Sequence, residues 1–219
     1  IHNTHGYHQR SGTSTTIPRP MLEQRIQQHF IESADLKYQS AQTLARPIAD
    51  AVQALLACIT SGGKVLACGS GASAPHAQQF AACCVTGFER ERPEFAAIAL
   101  CADGALLTAA VASSDKPPQL FARQVRALGQ AGDLLLVLST TATDPSVLAA
   151  VHAAHERDMT VVALTGGTGG ELAGVVRETD VLICVPHDRA ARAREVHTLV
   201  LNCLCDGMDA QLFGEQEIS

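Results

Sequence analysis

Two short turns rich in glycine and hydroxyl residues carry the groups best suited to bind a negatively charged ligand. The first contains Gly69, Ser70, Gly71 and Ser73, and it follows an apolar run at Lys64–Cys68 that predicts a buried strand. Residues of this size let backbone N–H groups and hydroxyls approach an anion at the start of the next helix. The pattern is typical of a phosphate site that uses no metal. It also fits a tight strand-to-helix turn that binds nothing, and alone it does not separate the two.

A second apolar run, Asp133–Leu138, ends in the same way. It leads into Ser139, Thr140 and Thr141, and then into Asp144 just before a predicted helix. The carboxyl ends of parallel strands lie at one edge of a sheet. We therefore expect the two turns to be neighbours that present their hydroxyls to one ligand.

The remaining pattern alternates strands with helices. Apolar spacing predicts two amphipathic helices within 22–60, shorter helices between the strands, and one long helix over 190–213. Further strands are predicted at 95–100, 160–164 and 181–185. This order predicts a three-layer α/β/α sandwich around a five-stranded parallel sheet, as a single domain over 21–219. Residues 1–20 are polar and aperiodic, and we expect a disordered leader or a tag there.

Composition excludes several classes of protein. The net charge is −6, and aromatic residues make up 4% of the chain with no tryptophan, which disfavours direct nucleic-acid binding. The eight cysteines fall within apolar runs, as expected for reduced core residues of a cytoplasmic protein. No apolar run is expected to span a membrane, and the N-terminus lacks the layout of a signal peptide.

Several segments in order resemble the phosphoheptose isomerase branch of the sugar isomerase (SIS) domain family, and within it the initiator-associating DiaA group. The segments are CGSGASAPHAQQFAA, DLLLVLSTTATDPSVLAA, RDMTVVALTGGTGGELAG, RAREVHTLVLNCLCD and QLF. The resemblance covers residues 22–213. It implies a flavodoxin-like sandwich and a homotetramer with sugar-phosphate pockets at subunit junctions.

The resemblance also implies where a catalytic metal would lie. Family isomerases have a His and a Glu one helical turn apart after the glycine turn, and a Gln and a His on the final helix. The matching residues here are Gln79, Cys83, Arg194 and Asn202, and none is the family's residue. A permanent guanidinium cation is not a zinc ligand, and neither Cys83 nor Asn202 is an ordinary acid–base group for sugar chemistry. We therefore expect no metal and no cofactor.

These substitutions favour a non-catalytic scaffold. By resemblance to the DiaA group, it would bind the replication initiator DnaA and promote initiation of chromosomal replication, with Leu212 and Phe213 on the partner surface. The alternatives are a sedoheptulose 7-phosphate isomerase, which would need zinc, and a sugar-phosphate sensor without chemistry. A sugar phosphate would be held by the hydroxyl residues of the two turns, together with Asp144 and Arg194: Ser70, Ser73, Ser139, Thr140 and Thr141.

Overall fold

The structure, a computed structural model, describes residues 17–112 and 119–215. Its sheet contains the strands β1 (Val65–Gly69), β2 (Ala97–Ala99), β3 (Leu134–Ser139), β4 (Thr160–Gly166) and β5 (Val181–Val185). All pairings are parallel, and the order across the sheet is β2-β1-β3-β4-β5. The predicted three-layer fold with a five-stranded parallel sheet is confirmed.

Helices cover both faces of this sheet. They are α1 (Arg19–Thr60), α2 (Ala74–Thr86), α3 (Gly104–Ala112), α4 (Leu120–Leu128), α5 (Pro145–Glu156), α6 (Gly170–Val175) and α7 (Ala190–Phe213). On one face α1, α2 and α7 pack together, and on the other α4 packs against α5. The central strands β1 and β3 are buried at every position, as expected for strands covered on both faces.

The order of the strands creates a crevice between β1 and β3. From β1 the chain moves outward to β2, whereas from β3 it moves in the opposite direction to β5. In sheets of this kind ligands bind outside the carboxyl ends of the strands at such a switch point. Both predicted anion turns follow the strands that flank this crevice.

The first helix differs from the prediction of two helices. A single helix runs for 42 residues and contains Pro47 without ending there. Its buried face continues from Leu36 through Leu44 to Leu55, so packing against the domain offsets the hydrogen bond that the proline cannot donate. The helix starts at Arg19, inside the predicted leader; residues 1–16 lie outside the described residues.

Helix α1 also corrects the expectation about membrane spans. One 18-residue window within it has a mean hydropathy of 1.2, with 28% of the window buried, and by length and composition alone the helix qualifies as a possible span. This is weak support for a span, because helices that pack on a protein core meet the same criterion. The second half of α1 does so through Val52 and Leu55.

Candidate active site

The turn after β1 is built on two glycines that are needed for different reasons. A Cβ on Gly69 would lie 2.9 Å from Cβ of Ser73 and 3.0 Å from the carbonyl oxygen of Leu138, so no larger residue fits there. Gly71 has open space around it but adopts φ 54°, a conformation that L side chains rarely adopt. Ser73 is buried, and Ser70 is half-buried just before α2. The close contact with Leu138 places this turn against the end of β3.

The turn after β3 is held by its own polar groups. Ser139 Oγ accepts a hydrogen bond from the backbone N–H of Ala142 at 3.1 Å, and Ala142 is buried with φ 56°. Asp144 Oδ1 accepts from the backbone N–H of Ser146 at 2.8 Å, so this carboxylate caps the start of α5. Thr140 is half-buried and Thr141 is exposed. Of the two, Thr141 is the more open to a ligand.

Helices α2 and α7 run side by side next to these turns. His76 Nε2 lies 2.9 Å from Thr198 Oγ1, which joins the first turn of α2 to the middle of α7. Gln79 and Cys83 follow His76 on α2, one turn apart, while Arg194 and Asn202 lie one turn on either side of Thr198. The family's four metal positions are thus distributed along two helices in contact.

The residues at these four positions do not suit zinc. Cys83 is half-buried and could be one ligand, but Arg194 is a permanent cation, and Gln79 and Asn202 have neutral amides. Within the described residues no group of three or more His, Cys, Asp or Glu side chains is arranged to hold a metal. The donor set therefore does not fit the metal that the resemblance implies.

Two histidines near the sheet make contacts between distant parts of the chain. His76 lies between α2 and α7, and His155 is 8% exposed and bonded to Asp180 Oδ2 at 2.8 Å. His152 is exposed. No local sequence pattern indicates these partners, because Thr198 and Asp180 lie 122 and 25 residues away from the two histidines.

His197 is a fully buried histidine beneath the site. Its Nε2 lies 3.1 Å from the carbonyl oxygen of Thr165 at the end of β4, and its Nδ1 has no hydrogen-bond partner among the described residues. Burial lowers the pKa of His197 from 6.5 to about 4, and the charges of His76 and Arg194 act in the same direction. The ring is therefore neutral at pH 7.

The cysteines are free thiols, and most are core residues. Burial raises the pKa of Cys58 to about 11 and that of Cys84 to about 12, so neither is a nucleophile at neutral pH. Cys203 is exposed, whereas Cys83 and Cys184 are half-buried. The prediction that the cysteines are core residues is confirmed for the five buried ones.

The C-terminal residues predicted to contact a partner make contacts within their own chain. Phe213 stacks on Phe95 with ring centroids 6.2 Å apart, and the guanidinium of Arg90 lies 5.4 Å from the Phe213 centroid. Leu212 is partly buried against the hydrophobic core. Phe213 remains 40% exposed, so only part of this surface is open.

Comparison with known proteins decides the family. Residues 28–166 match the family model described as SIS domain. The phosphoheptose isomerase of Methylibium petroleiphilum is 58% identical over 199 residues, which cover 91% of this chain and 99% of that protein. The chain belongs to the phosphoheptose isomerase family of SIS-domain proteins. The phosphoheptose isomerase of Azoarcus sp. is 50% identical over 196 residues, or 90% of this chain and 99% of that protein.

Solved structures of this family have the same fold. Phosphoheptose isomerase GmhA from Neisseria gonorrhoeae superimposes with a TM-score of 0.82 at 43% identity, covering 86% of this chain and 99% of that one. A phosphoheptose isomerase from Francisella tularensis also superimposes with a TM-score of 0.82, at 41% identity, and the match covers 86% of this chain and 98% of that one. These relatives are phosphoheptose isomerases, so the prediction of a non-catalytic DiaA-type scaffold that binds DnaA and promotes replication initiation is wrong. Similarity over nearly the whole chain outweighs the substitutions at four positions.

Proposed function

We propose that this protein is a phosphoheptose isomerase that acts on sedoheptulose 7-phosphate. The observation that carries the proposal is the 58% identity to a phosphoheptose isomerase over 91% of the chain. The position of the two hydroxyl-bearing turns at the β1/β3 crevice supports it, because a sugar phosphate needs hydrogen-bond donors at this edge of the sheet.

The phosphate is proposed to bind at the two turns. Helices of 13 and 12 residues start there, and the positive end of each helix dipole favours a negative charge. Hydroxyls would add further donors, and the guanidinium of Arg194 would offset the carboxylate of Asp144, whose Oδ1 is already engaged as the helix cap. The proposed hydroxyl contacts are Ser70, Ser73, Ser139, Thr140 and Thr141.

We also propose a homotetramer, which the family resemblance implies. The first half of α1 supports an assembly, because it exposes large apolar side chains along a helix that extends beyond the sheet: Met21, Leu22, Ile26, Phe30, Ile31 and Tyr38. Light scattering coupled to size exclusion tests this, and a monomer would refute it. The further proposals are a single SIS domain over 21–219, a leader before it, and a cytoplasmic location.

The test of function is turnover of sedoheptulose 7-phosphate together with calorimetric binding. Binding is expected with the phosphorylated sugar and not with sedoheptulose, because the turns recognise the phosphate. Thr140→Val removes a hydroxyl at nearly constant shape and should weaken binding about tenfold, the loss expected for one hydrogen bond to a charged group. Thr160→Val, at the opposite end of the sheet, is the matched control and should leave binding unchanged.

The outcomes separate the candidate functions. Turnover supports the isomerase, and absence of both turnover and binding refutes it. Binding without turnover would favour a sugar-phosphate sensor. That function is consistent with the loss of the family's metal and acid–base residues at positions 79, 83, 194 and 202.

A further inference from the structure

The disagreement between the family's metal site and this chain's residues is the starting observation. Three of the four positions carry side chains that are poor or impossible zinc ligands, and the fourth, Cys83, cannot hold the ion alone. An isomerase at this site still needs positive charge near the sugar oxygens and a group that exchanges protons with carbon. Both requirements must be met by other residues.

Arg194 can supply the positive charge. Its guanidinium makes no ion pair or side-chain hydrogen bond within 17–112 and 119–215, and it is half-buried on the face of α7 that adjoins α2. It lies near enough to the buried His197 to act on that ring electrostatically. A partly buried cation one helical turn from Thr198, which contacts the first turn of α2, is available to stabilise negative charge on a sugar bound there.

His76 has one ring nitrogen that stays protonated and a second that can accept or donate a proton. Its Nδ1 lies 3.2 Å from the carbonyl oxygen of Ala72, which only accepts, so Nδ1 carries a proton. Its Nε2 faces Thr198 Oγ1 at 2.9 Å, and that hydroxyl also lies 3.1 Å from the carbonyl oxygen of Arg194. When the Thr198 hydroxyl donates to the carbonyl oxygen of Arg194, Nε2 donates to Thr198 Oγ1 and the ring is an imidazolium. When the Thr198 hydroxyl donates to Nε2, the ring is neutral.

This arrangement suits acid–base catalysis. To take a proton from a substrate carbon, Nε2 gives up its contact with Thr198, whose hydroxyl keeps its bond to the carbonyl oxygen of Arg194; neither helix has to move. His76 is half-buried in the first turn of α2, immediately after the glycine turn. A sugar bound through its phosphate at that turn would lie within reach of this ring.

We propose that the isomerase site of this chain works without a bound divalent metal, with Arg194 as its fixed cation and His76 as its proton-exchanging group. The inference rests on the proposed function. His76 takes a proton from C1 of the ketose; the C–H electron pair forms the C1=C2 bond, and the carbonyl pair moves to the C2 oxygen beside Arg194. The hydroxyl proton on the C1 oxygen then passes to the C2 oxygen. The C1 carbonyl forms, and His76 returns its proton to C2.

Metal content tests the first half of the proposal independently of turnover. The purified protein, incubated with zinc and desalted, should retain far less than one zinc per chain by mass spectrometry. The variant Gln79→His/Cys83→Glu/Arg194→Gln/Asn202→His restores the family's donors and should retain about one zinc per chain. Stoichiometric zinc in the wild type, or loss of turnover with a chelator, would overturn the inference.

Separate substitutions test the two residues. His76→Gln should lower kcat about 10²- to 10⁴-fold while calorimetric affinity for sedoheptulose 7-phosphate stays the same, because the ring transfers protons and does not hold the phosphate. Arg194→Gln should raise KM and lower kcat/KM about 10- to 100-fold, the effect of losing a charged hydrogen bond. The matched controls His152→Gln and Arg177→Gln, both exposed and remote from the crevice, should match the wild type.

The results distinguish failure of this inference from failure of the proposed function. Turnover that requires zinc, or a His76→Gln variant with wild-type kcat, overturns the inference and leaves the isomerase intact. Absence of both binding and turnover in the wild type refutes the isomerase itself, and with it the roles of both residues.

Discussion

Removing the carboxylate of Asp209 should destabilise the protein strongly, because it leaves a buried cation without a partner. Arg92 Nε lies 2.7 Å from Asp209 Oδ1, and the two side chains are 1% and 4% exposed. The same guanidinium donates to the carbonyl oxygens of Cys83 and Cys84 at the end of α2, at 2.9 and 2.8 Å, and lies 3.7 Å from the ring centroid of Phe95. These contacts keep Arg92 in place when Asp209 is replaced.

The magnitude follows from this geometry. Breaking a buried ion pair by removing one partner costs about 3–5 kcal/mol. For a chain of this length that corresponds to a fall in Tm of roughly 6–20 °C. The double variant Arg92→Met/Asp209→Leu should lose less than Asp209→Ala, since it leaves no unpaired charge in the interior.

The assay is equilibrium unfolding in urea at one fixed protein concentration, because assembly would make stability depend on concentration. Glu156→Ala is the matched control. It breaks a pair with Arg126 whose side chains are 56% and 42% exposed, and should cost less than about 1 kcal/mol. If Asp209→Ala lies within about 1 kcal/mol of the wild type, the carboxylate of Asp209 is not compensating a buried charge and the reasoning is wrong.

Three further predictions concern pH and packing. Burial alone would raise the pKa of Asp133, but hydrogen bonds from the side chain and backbone of Lys64 lower this pKa overall. The stability that results is present above about pH 4 and is lost as the pH falls. The free energy of unfolding of Asp133→Asn should therefore fall less steeply than that of the wild type below about pH 4. Burial lowers the pKa of His197 from 6.5 to about 4, and this shift corresponds to about 3 kcal/mol of unfolding free energy that is lost as the pH falls through the interval. His197→Gln should remove most of this loss when the free energy of unfolding is compared at about pH 7 and about pH 4.5. Gly207→Ala places a Cβ 2.8 Å from Cγ2 of Val52 and should cost about 1–3 kcal/mol of stability, measured by thermal unfolding. Adding Val52→Ala should relieve the clash. If the double variant loses as much stability as the two single variants together, the prediction is contradicted.

Much of the fold could be predicted because its signals are local. The bounds of α7 and β5 agree with the prediction, since apolar periodicity marks each element and Gly214 and Pro186 mark their C-terminal ends. The break predicted within α1 was wrong. Its polar middle gave weak periodicity, and packing along α7 holds the helix together past Pro47.

The candidate site could be predicted only in part. The two turns are local features and were found where the structure has them. The contact between His76 and Thr198 joins helices separated by most of the chain, so no local pattern could show it. The sequence predicts a helix just after Asp144, but the hydrogen bond by which Asp144 caps that helix depends on the backbone of the turn.

The sequence by itself determined the order of strands and helices, the two turns rich in small and hydroxyl residues, and the absence of the family's residues at positions 79, 83, 194 and 202. These depend on residue type and on spacing within one or two turns of backbone. Only the tertiary structure decided that α2 and α7 meet, that His76 shares a hydroxyl with Arg194, and that Arg92 is buried against Asp209. Each of these contacts joins residues far apart in the chain, and parallel packing around the sheet brings them together.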